Sequence, residues 1–245
     1  MKTPEWLSRT HLLLGTDNLC KLQQANVLVA GLGGVGAYAA EHLVRSGIGR
    51  LTIVDGDTVH TTNRNRQLPA LVSTTGKLKA EVMRDRLLDI NPELKITFYS
   101  EYIKDQRVVE ILEQGFDHVV DAIDTLSPKV YLIMHTLRMG IPLVSSMGAG
   151  GKTDPAQVQL VDISQTHHCK LAYYIRKKLH KMDIWDGFKA VYSPETISRH
   201  SIALIEGEMN KKSTVGTISY MPALFGCMCA ASVIKQLIDD KPAET

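Results

Sequence analysis

At 245 residues, 44% hydrophobic and 22% charged, the chain has the make-up of a soluble globular protein and the length for one large core. A formal net charge of +2 excludes binding to nucleic acid through bulk charge alone, so any such role has to rest on local clusters. Cys20, Cys169, Cys227 and Cys229 form no C-x-x-C pair, which speaks against a Cys₄ zinc site or a disulfide framework and suits a reducing cytoplasm. The spacing of Cys227-Met-Cys229 inside an apolar run reads as buried structural cysteine.

The opening MKTPEWLSRTHLLLG lacks the apolar core of a signal peptide. Asn26–Ala30 is a short, largely β-branched run leading into Gly31-Leu-Gly33-Gly34-Val-Gly36. Small residues at helical spacing follow, Ala37, Ala39, Ala40, Leu43 and Val44, and stop at Gly47; Leu51–Asp55 is the next strand. A strand, a glycine loop, a helix and a strand in that order open a doubly wound parallel sheet. Further on, the pattern predicts a helix over Thr75–Ile90, a strand over Lys95–Tyr99 and a helix over Asp105–Gln114. A strand over Val119–Ile123, a helix opened by Pro128 and a strand over Ile141–Ser145 complete the alternation.

After Gly148-Ala-Gly-Gly151 the rhythm changes. Gln157–Asp162 alternates like an antiparallel strand, Ala190–Ser193 is a short strand, and His167–Met182 between them is a basic, helix-like segment. The apolar stretch Gly216–Ile234 has the length of a membrane span. Thr217, Ser219, Pro222 and Ser232 within it predict instead a buried or dimer-interface helix. The expected fold class is therefore α/β, a Rossmann-like, doubly wound, mostly parallel sheet with antiparallel C-terminal strands. The expected organisation is a single domain over 1–245, with a nucleotide-binding core at 1–150 and an elaboration at 151–245.

Gly31, Gly33, Gly34 and Gly36 let backbone approach a phosphate and present N–H groups at a helix N-terminus. Asp55 stands where an acid meets a ribose, with Asp57 beside it. Those features suit NAD, FAD or ATP alike. Asn63, Arg64, Arg66, Gln67 and Lys79 then add cationic and amide donors. A triphosphate with its metal needs such donors more than a dinucleotide does. Asp121 and Asp124, delivered at and beyond the end of the fourth strand, supply the hard oxygen that Mg²⁺ prefers.

The order Gly31-x-Gly-Gly-x-Gly36, Asp55, Asn63-x-x-Arg66-Gln67, Lys79 and Asp121-x-x-Asp124 resembles the ThiF/MoeB and ubiquitin-activating adenylating superfamily. Within it, Thr62–Gln67, Lys79–Met83, Ile90–Glu93, Asp121–Asp124 and Gly148–Gly151 with Asp154-Pro155 resemble the tRNA threonylcarbamoyladenosine dehydratases; the likeness spans about residues 5–235. The resemblance implies ATP as co-substrate and Mg²⁺ held by Asp124 with support from Asp121. It implies Gly33 and its loop at the phosphates, Asp55 at the ribose, and Asn63, Arg66 and Lys79 at the β- and γ-phosphates. Arg9 matches an arginine that reaches the partner subunit's ATP in dimeric members, with a surface arginine as the plain alternative. Catalysis would then rest on Arg66, Lys79, Asp124 and Arg9. A homodimer, a cytoplasmic location and no membrane insertion follow as expectations, and a sulfur-relay protein stands as a candidate partner.

The implied reaction is dehydration of threonylcarbamoyladenosine at position 37 of tRNA through an acyl-adenylate. The rival reading within the superfamily is adenylation of the C-terminal Gly-Gly of a small sulfur-carrier protein. An NAD-dependent dehydrogenase would leave Arg66, Lys79 and Asp124 surplus, and a tRNA-binding scaffold would not need the intact charged set. Some relatives carry a cysteine in the segment Asn210–Gly216; Ser213 or Thr214 here speaks against a covalent thioester. Cys169 beside His167 and His168 is the other candidate nucleophile, with an incidental cluster as the plain alternative. Lys170, Arg176, Lys177, Lys178 and Lys181 make one basic helix face, either a tRNA-phosphate surface or simply a solvated one.

Overall fold

The computed structural model describes residues 3–204 and 213–239. Its main sheet has seven strands: β1 (Asn26–Ala30), β2 (Arg50–Val54), β3 (Lys95–Tyr99), β4 (His118–Asp121), β5 (Leu143–Ser146), β6 (Gln159–Asp162) and β7 (Lys189–Tyr192). They lie in the order β3-β2-β1-β4-β5-β7-β6. Every neighbouring pair is parallel except β6 with β7. β1 pairs with β2 on one side and β4 on the other, so the order reverses at the C-terminal ends of β1 and β4. A crevice opens at such a reversal, because the two following connections leave toward opposite faces.

Side chains of β1 alternate between two cores. Val27 and Val29 pack with α2 (Gly36–Arg45), α3 (Lys79–Ile90) and α7 (Tyr220–Asp239). Leu28 and Ala30 pack with α4 (Gln106–Leu112), α5 (Leu126–Arg138) and α6 (Lys170–Leu179). Burial on both faces is why these strands are continuously apolar rather than alternating. Val29 and Leu28 are fully buried, and each such side chain contributes roughly 1.5–3 kcal/mol. The strand ends that carry the site are thereby anchored from both sides.

Boundaries differ from the sequence reading where local backbone overrides pattern. The third helix begins at Lys79, not Thr75: Gly76 has φ +87°, Leu78 bridges to Thr58, and the Lys79 N–H donates to the Asp57 carbonyl at 3.0 Å. The basic helix begins at Lys170, not His167, because His168 has φ +55° and Cys169 is extended. It runs on into a 3₁₀ turn over His180–Met182.

Two elements lack a counterpart in that reading. Helix α1 (Ser8–Gln24) is broken at Gly15, where φ is +79°. Its second half buries Leu19 and Leu22, while Leu12 and Leu13 in the first half are 88% and 82% exposed. A ladder of β8 (Ile202–Leu204) and β9 (Ser213–Val215) stands apart from the main sheet. Of the segment Asn210–Gly216, positions 210–212 lie outside the described residues.

Helix α7 has the length and hydropathy of a membrane span, yet it packs on α2 and against β4, β5 and β7. The approach to α2 is close: a Cβ on Gly226 would lie 2.5 Å from the Val35 carbonyl oxygen. Cys229 is wholly buried in this interface, and burial pushes its thiol up to about 12, as expected of a structural cysteine. Cys227 is only half-buried, with its Sγ 2.9 Å from His42 Nε2.

Candidate active site

The glycine loop follows β1 and is squeezed between two neighbours. Gly31 has φ +89°, and a Cβ there would meet the Ala122 carbonyl at 2.7 Å; one on Gly36 would lie 1.8 Å from the Gly31 carbonyl. On the opposite side, a Cβ on Gly34 would lie 2.9 Å from Pro222 of α7. Gly33 differs: only Gln67 Nε2, at 3.7 Å, comes near it. The fold itself therefore tolerates a side chain at Gly33.

Asp55 ties this loop to β2. Its Oδ2 accepts from the Leu32 N–H at 2.6 Å and its Oδ1 from the Asp57 N–H at 2.8 Å. Burial raises its pKa, although Lys79 and the two N–H donors pull the other way. Asp57 meets Lys79: Nζ to Oδ2 is 2.5 Å, with Lys79 only 4% exposed. Burial pushes the Asp57 carboxyl up, but the hydrogen bond and charge of Lys79 outweigh it and hold it below the usual carboxylate value. Tyr102 and His60 flank the same carboxylate at 3.4 and 3.6 Å.

A 3₁₀ turn over Thr61–Asn63 carries the next group. Asn63 is buried and its Oδ1 accepts from the His60 N–H at 3.1 Å. Arg66 is half-buried; its Nη1 donates to the Thr62 carbonyl at 3.0 Å and to Asn65 Oδ1 at 2.9 Å. Burial lowers the Arg66 pKa, and the charge of Asp124 counters that. The exposed carboxylate of Asp124 is thus near enough to act on the Arg66 guanidinium through its charge. Arg64 points to solvent, held by the Thr61 carbonyl at 3.4 Å. Gln67 Oε1 is buried with no hydrogen-bond partner among the described residues, beside the open face of Gly33.

Asp121 sits below this surface rather than on it. It is fully buried, in an ion pair with Lys129 Nζ at 2.8 Å. It also accepts from Ser145 Oγ at 2.6 Å and the Ile123 N–H at 3.1 Å, while Lys129 donates to the Ile123 carbonyl at 3.0 Å. These bonds shape the connection that carries Asp124. Lys129 went unnoticed in the sequence reading; its signal was a lysine one turn before Ile133, on a helix stripe otherwise apolar. The C-terminal contributors, Pro222 on Gly34 and the Thr217 carbonyl accepting from Asn65 at 2.9 Å, carried no local signal.

The remaining candidates lie elsewhere. Arg9 is exposed on α1, and no hydrogen bond or ion pair among the described residues joins it to this set. Lys170, Lys177, Lys178 and Lys181 are exposed along and just beyond α6. Arg176 is drawn inward instead, donating to the Thr166 carbonyl at 2.7 Å and to the Thr166 hydroxyl. Cys169 is buried, and His167 is engaged with the Tyr192 hydroxyl at 3.1 Å.

A parallel sheet whose order reverses beside a glycine loop, with Arg66, Lys79 and two acidic positions around it, defines a nucleotide-binding α/β protein of adenylating type. The chain belongs to the ThiF family, whose model matches residues 7–245, and within it to the tRNA threonylcarbamoyladenosine dehydratases. It is 38% identical over 240 residues to the dehydratase of Bacillus subtilis, covering 95% of this chain and 94% of that one. The Escherichia coli dehydratase is 36% identical over 247 residues, at 94% and 92% coverage. The crystal structure of the E. coli enzyme in complex with ATP superposes with a TM-score of 0.87, at 34% identity and 97% of both chains.

Proposed function

We propose that this chain dehydrates threonylcarbamoyladenosine in tRNA at the expense of ATP. What carries the reading is the open loop at Gly33, with Asp124 acting on the Arg66 charge, in a chain alike over nearly its full length to enzymes so named. The glycine loop seats the phosphates against backbone N–H groups, and the missing side chain at Gly33 allows close approach. Gln67 borders this opening, its Nε2 3.7 Å from where a Cβ on Gly33 would stand, and its amide N–H would donate to a phosphate oxygen. Asp55 holds the loop closed and offers its remaining lone pairs to the ribose.

In the first step, the carboxylate on the modified adenosine attacks the α-phosphorus of ATP and pyrophosphate leaves. Arg66, Asn63 and Lys79 stabilise the charge that builds on the β- and γ-phosphates. In the second step, the substrate's own carbamoyl group attacks the acyl carbon, a ring closes, a proton is lost and AMP departs. The oxygen removed from the substrate leaves in AMP, so the net change is loss of one water. The trapping group is intramolecular, so no enzyme nucleophile is required. Asp124, an exposed carboxylate beside a triphosphate site, fits Mg²⁺, which would offset charge on the leaving pyrophosphate. Asp121 acts through Lys129 and the backbone as a positioning residue.

The same proposal takes the active form as a cytoplasmic homodimer. The exposed Leu12 and Leu13 form the contact, and Arg9 on the same half-helix reaches the partner's nucleotide. Lys177, Lys178 and Lys181 meet tRNA phosphates, with Lys170 at the other end of the helix.

The decisive measurement is mass spectrometry of nucleosides from tRNA incubated with enzyme, ATP and Mg²⁺. Loss of one water from threonylcarbamoyladenosine is expected. An unchanged nucleoside, together with ATP–pyrophosphate exchange driven by a sulfur-carrier protein, would transfer the chain to carrier adenylation.

A further inference from the structure

A groove of about 500 Å³ runs between α5 and α6. Tyr131 and Tyr174 line it together with Ser127, Lys177, Lys178 and Lys181. Ser127 lies in the first turn of α5, three residues after Asp124, so the groove's lining reaches to within one helical turn of the Asp124 connection. The tyrosines are braced: His135 packs behind Tyr131 with ring centroids 4.4 Å apart, and Tyr173 stands edge-on to Tyr174 at 5.3 Å. None of the three lysines has an ion-pair or hydrogen-bond partner among the described residues.

Unpaired cations would meet any polyanion. Two braced rings in the same groove narrow the choice. A duplex keeps its bases stacked inside and leaves the tyrosines without a role, and an acidic peptide has no flat face to offer them. A single strand presents phosphates along one edge and free base faces along the other.

We propose that this groove seats unpaired nucleotides adjoining the modified adenosine. One base stacks against Tyr174 and Tyr131, and the flanking phosphates lie along Lys177, Lys178 and Lys181. The inference rests on the dehydratase reading for the identity of the RNA, and it adds what that reading lacks, a subsite that recognises single-stranded character next to the reacting nucleotide. It also separates the basic residues by role. The three groove lysines contact the strand, whereas Arg176 maintains the loop at Thr166.

The test uses the full chain and an anticodon stem-loop RNA with 2-aminopurine beside the modified adenosine. Wild-type protein is expected to quench the fluorophore. Tyr174→Ala should abolish the quench and weaken binding roughly 5- to 100-fold, and Tyr174→Phe should restore both. Lys177→Glu with Lys178→Glu and Lys181→Glu should flatten the log–log salt dependence by about 2 units. Tyr174 is 50% exposed, so thermal melting of each variant separates loss of contact from loss of fold. An unchanged quench in Tyr174→Ala, or equal affinity for a fully paired RNA, overturns the groove. The same experiment run on an unmodified loop keeps the two ideas apart. Stacking there without any dehydration of the modified substrate would remove the dehydratase reading and leave the single-strand subsite standing.

Discussion

A methyl group on Gly36 would sit 1.8 Å from the Gly31 carbonyl, but on Gly33 its nearest neighbour would be Gln67 Nε2 at 3.7 Å. The two glycines of one motif thus answer to different demands, the first to the fold and the second to the ligand. Gly36→Ala should fail to give a stable protein. Gly33→Ala should melt like wild type yet lose on the order of 100-fold in kcat/KM for ATP, the cost of shifting a phosphate by about 1 Å. Unaltered ATP kinetics in Gly33→Ala would refute that division. Asp57 supports a pH prediction. Lys79 holds its folded-state pKa below the ordinary value. The stabilisation is therefore present above about pH 4 and fades as the pH falls through the depressed value. The difference in Tm between wild type and Asp57→Asn should be largest near neutrality and shrink in acid; a difference independent of pH would count against the pair. At this scale the polar residues legible in the sequence were those in short motifs, Asp55, Asn63, Arg66 and Asp124 among them, whereas His60 and Tyr102 beside Asp57 were not. The sequence did not reveal that Asp121 turns inward, since the partner that turns it, Lys129, belongs to the next helix.

Helix α5 shows how an element can serve a site without touching it. Lys129 on its inner face and Asp121 at the end of β4 are both fully buried and satisfy each other. Removing one member leaves the other charged in an apolar setting. Lys129→Met should therefore cost about 3–5 kcal/mol in urea denaturation. Asp121→Asn combined with Lys129→Met should recover part of that loss; a single variant as stable as wild type would contradict the coupling. The strands were legible because burial on both faces leaves them uniformly apolar. Helix starts were less so. The sequence reading extends α3 back to Thr75, but Gly76 at φ +87° and the bridge from Leu78 to Thr58 keep the chain out of the helix until Lys79. Helix α1 escaped notice because Leu12, Leu13 and Leu14 in succession fit no amphipathic stripe within a single chain.

Those leucines take on meaning for the molecule as a whole. Leu12 and Leu13 stand in solvent on a half-helix that turns away at Gly15, an arrangement that favours coverage by a second copy. On the proposed dimer, Leu12→Asp with Leu13→Asp should give a monomer in sedimentation where wild type gives a dimer, and should lower turnover if Arg9 acts across the interface. A dimer that survives both changes would place the contact elsewhere. The sheet order and the antiparallel β6 edge agree with the alternation of strands and helices along the chain. The β8–β9 ladder did not announce itself, being two three-residue strands held by pairing rather than by composition.

The seating of α7 against the glycine loop has a temporal side. Among the described residues, the charged groups gathered at the crevice, from Asp55 to Lys129, lie before residue 130, yet Pro222 backs Gly34 and Thr217 secures Asn65. During synthesis, a growing polypeptide would carry these charged groups before α7 emerges from the ribosome. The final order of the glycine loop would then await the docking of α7 onto α2.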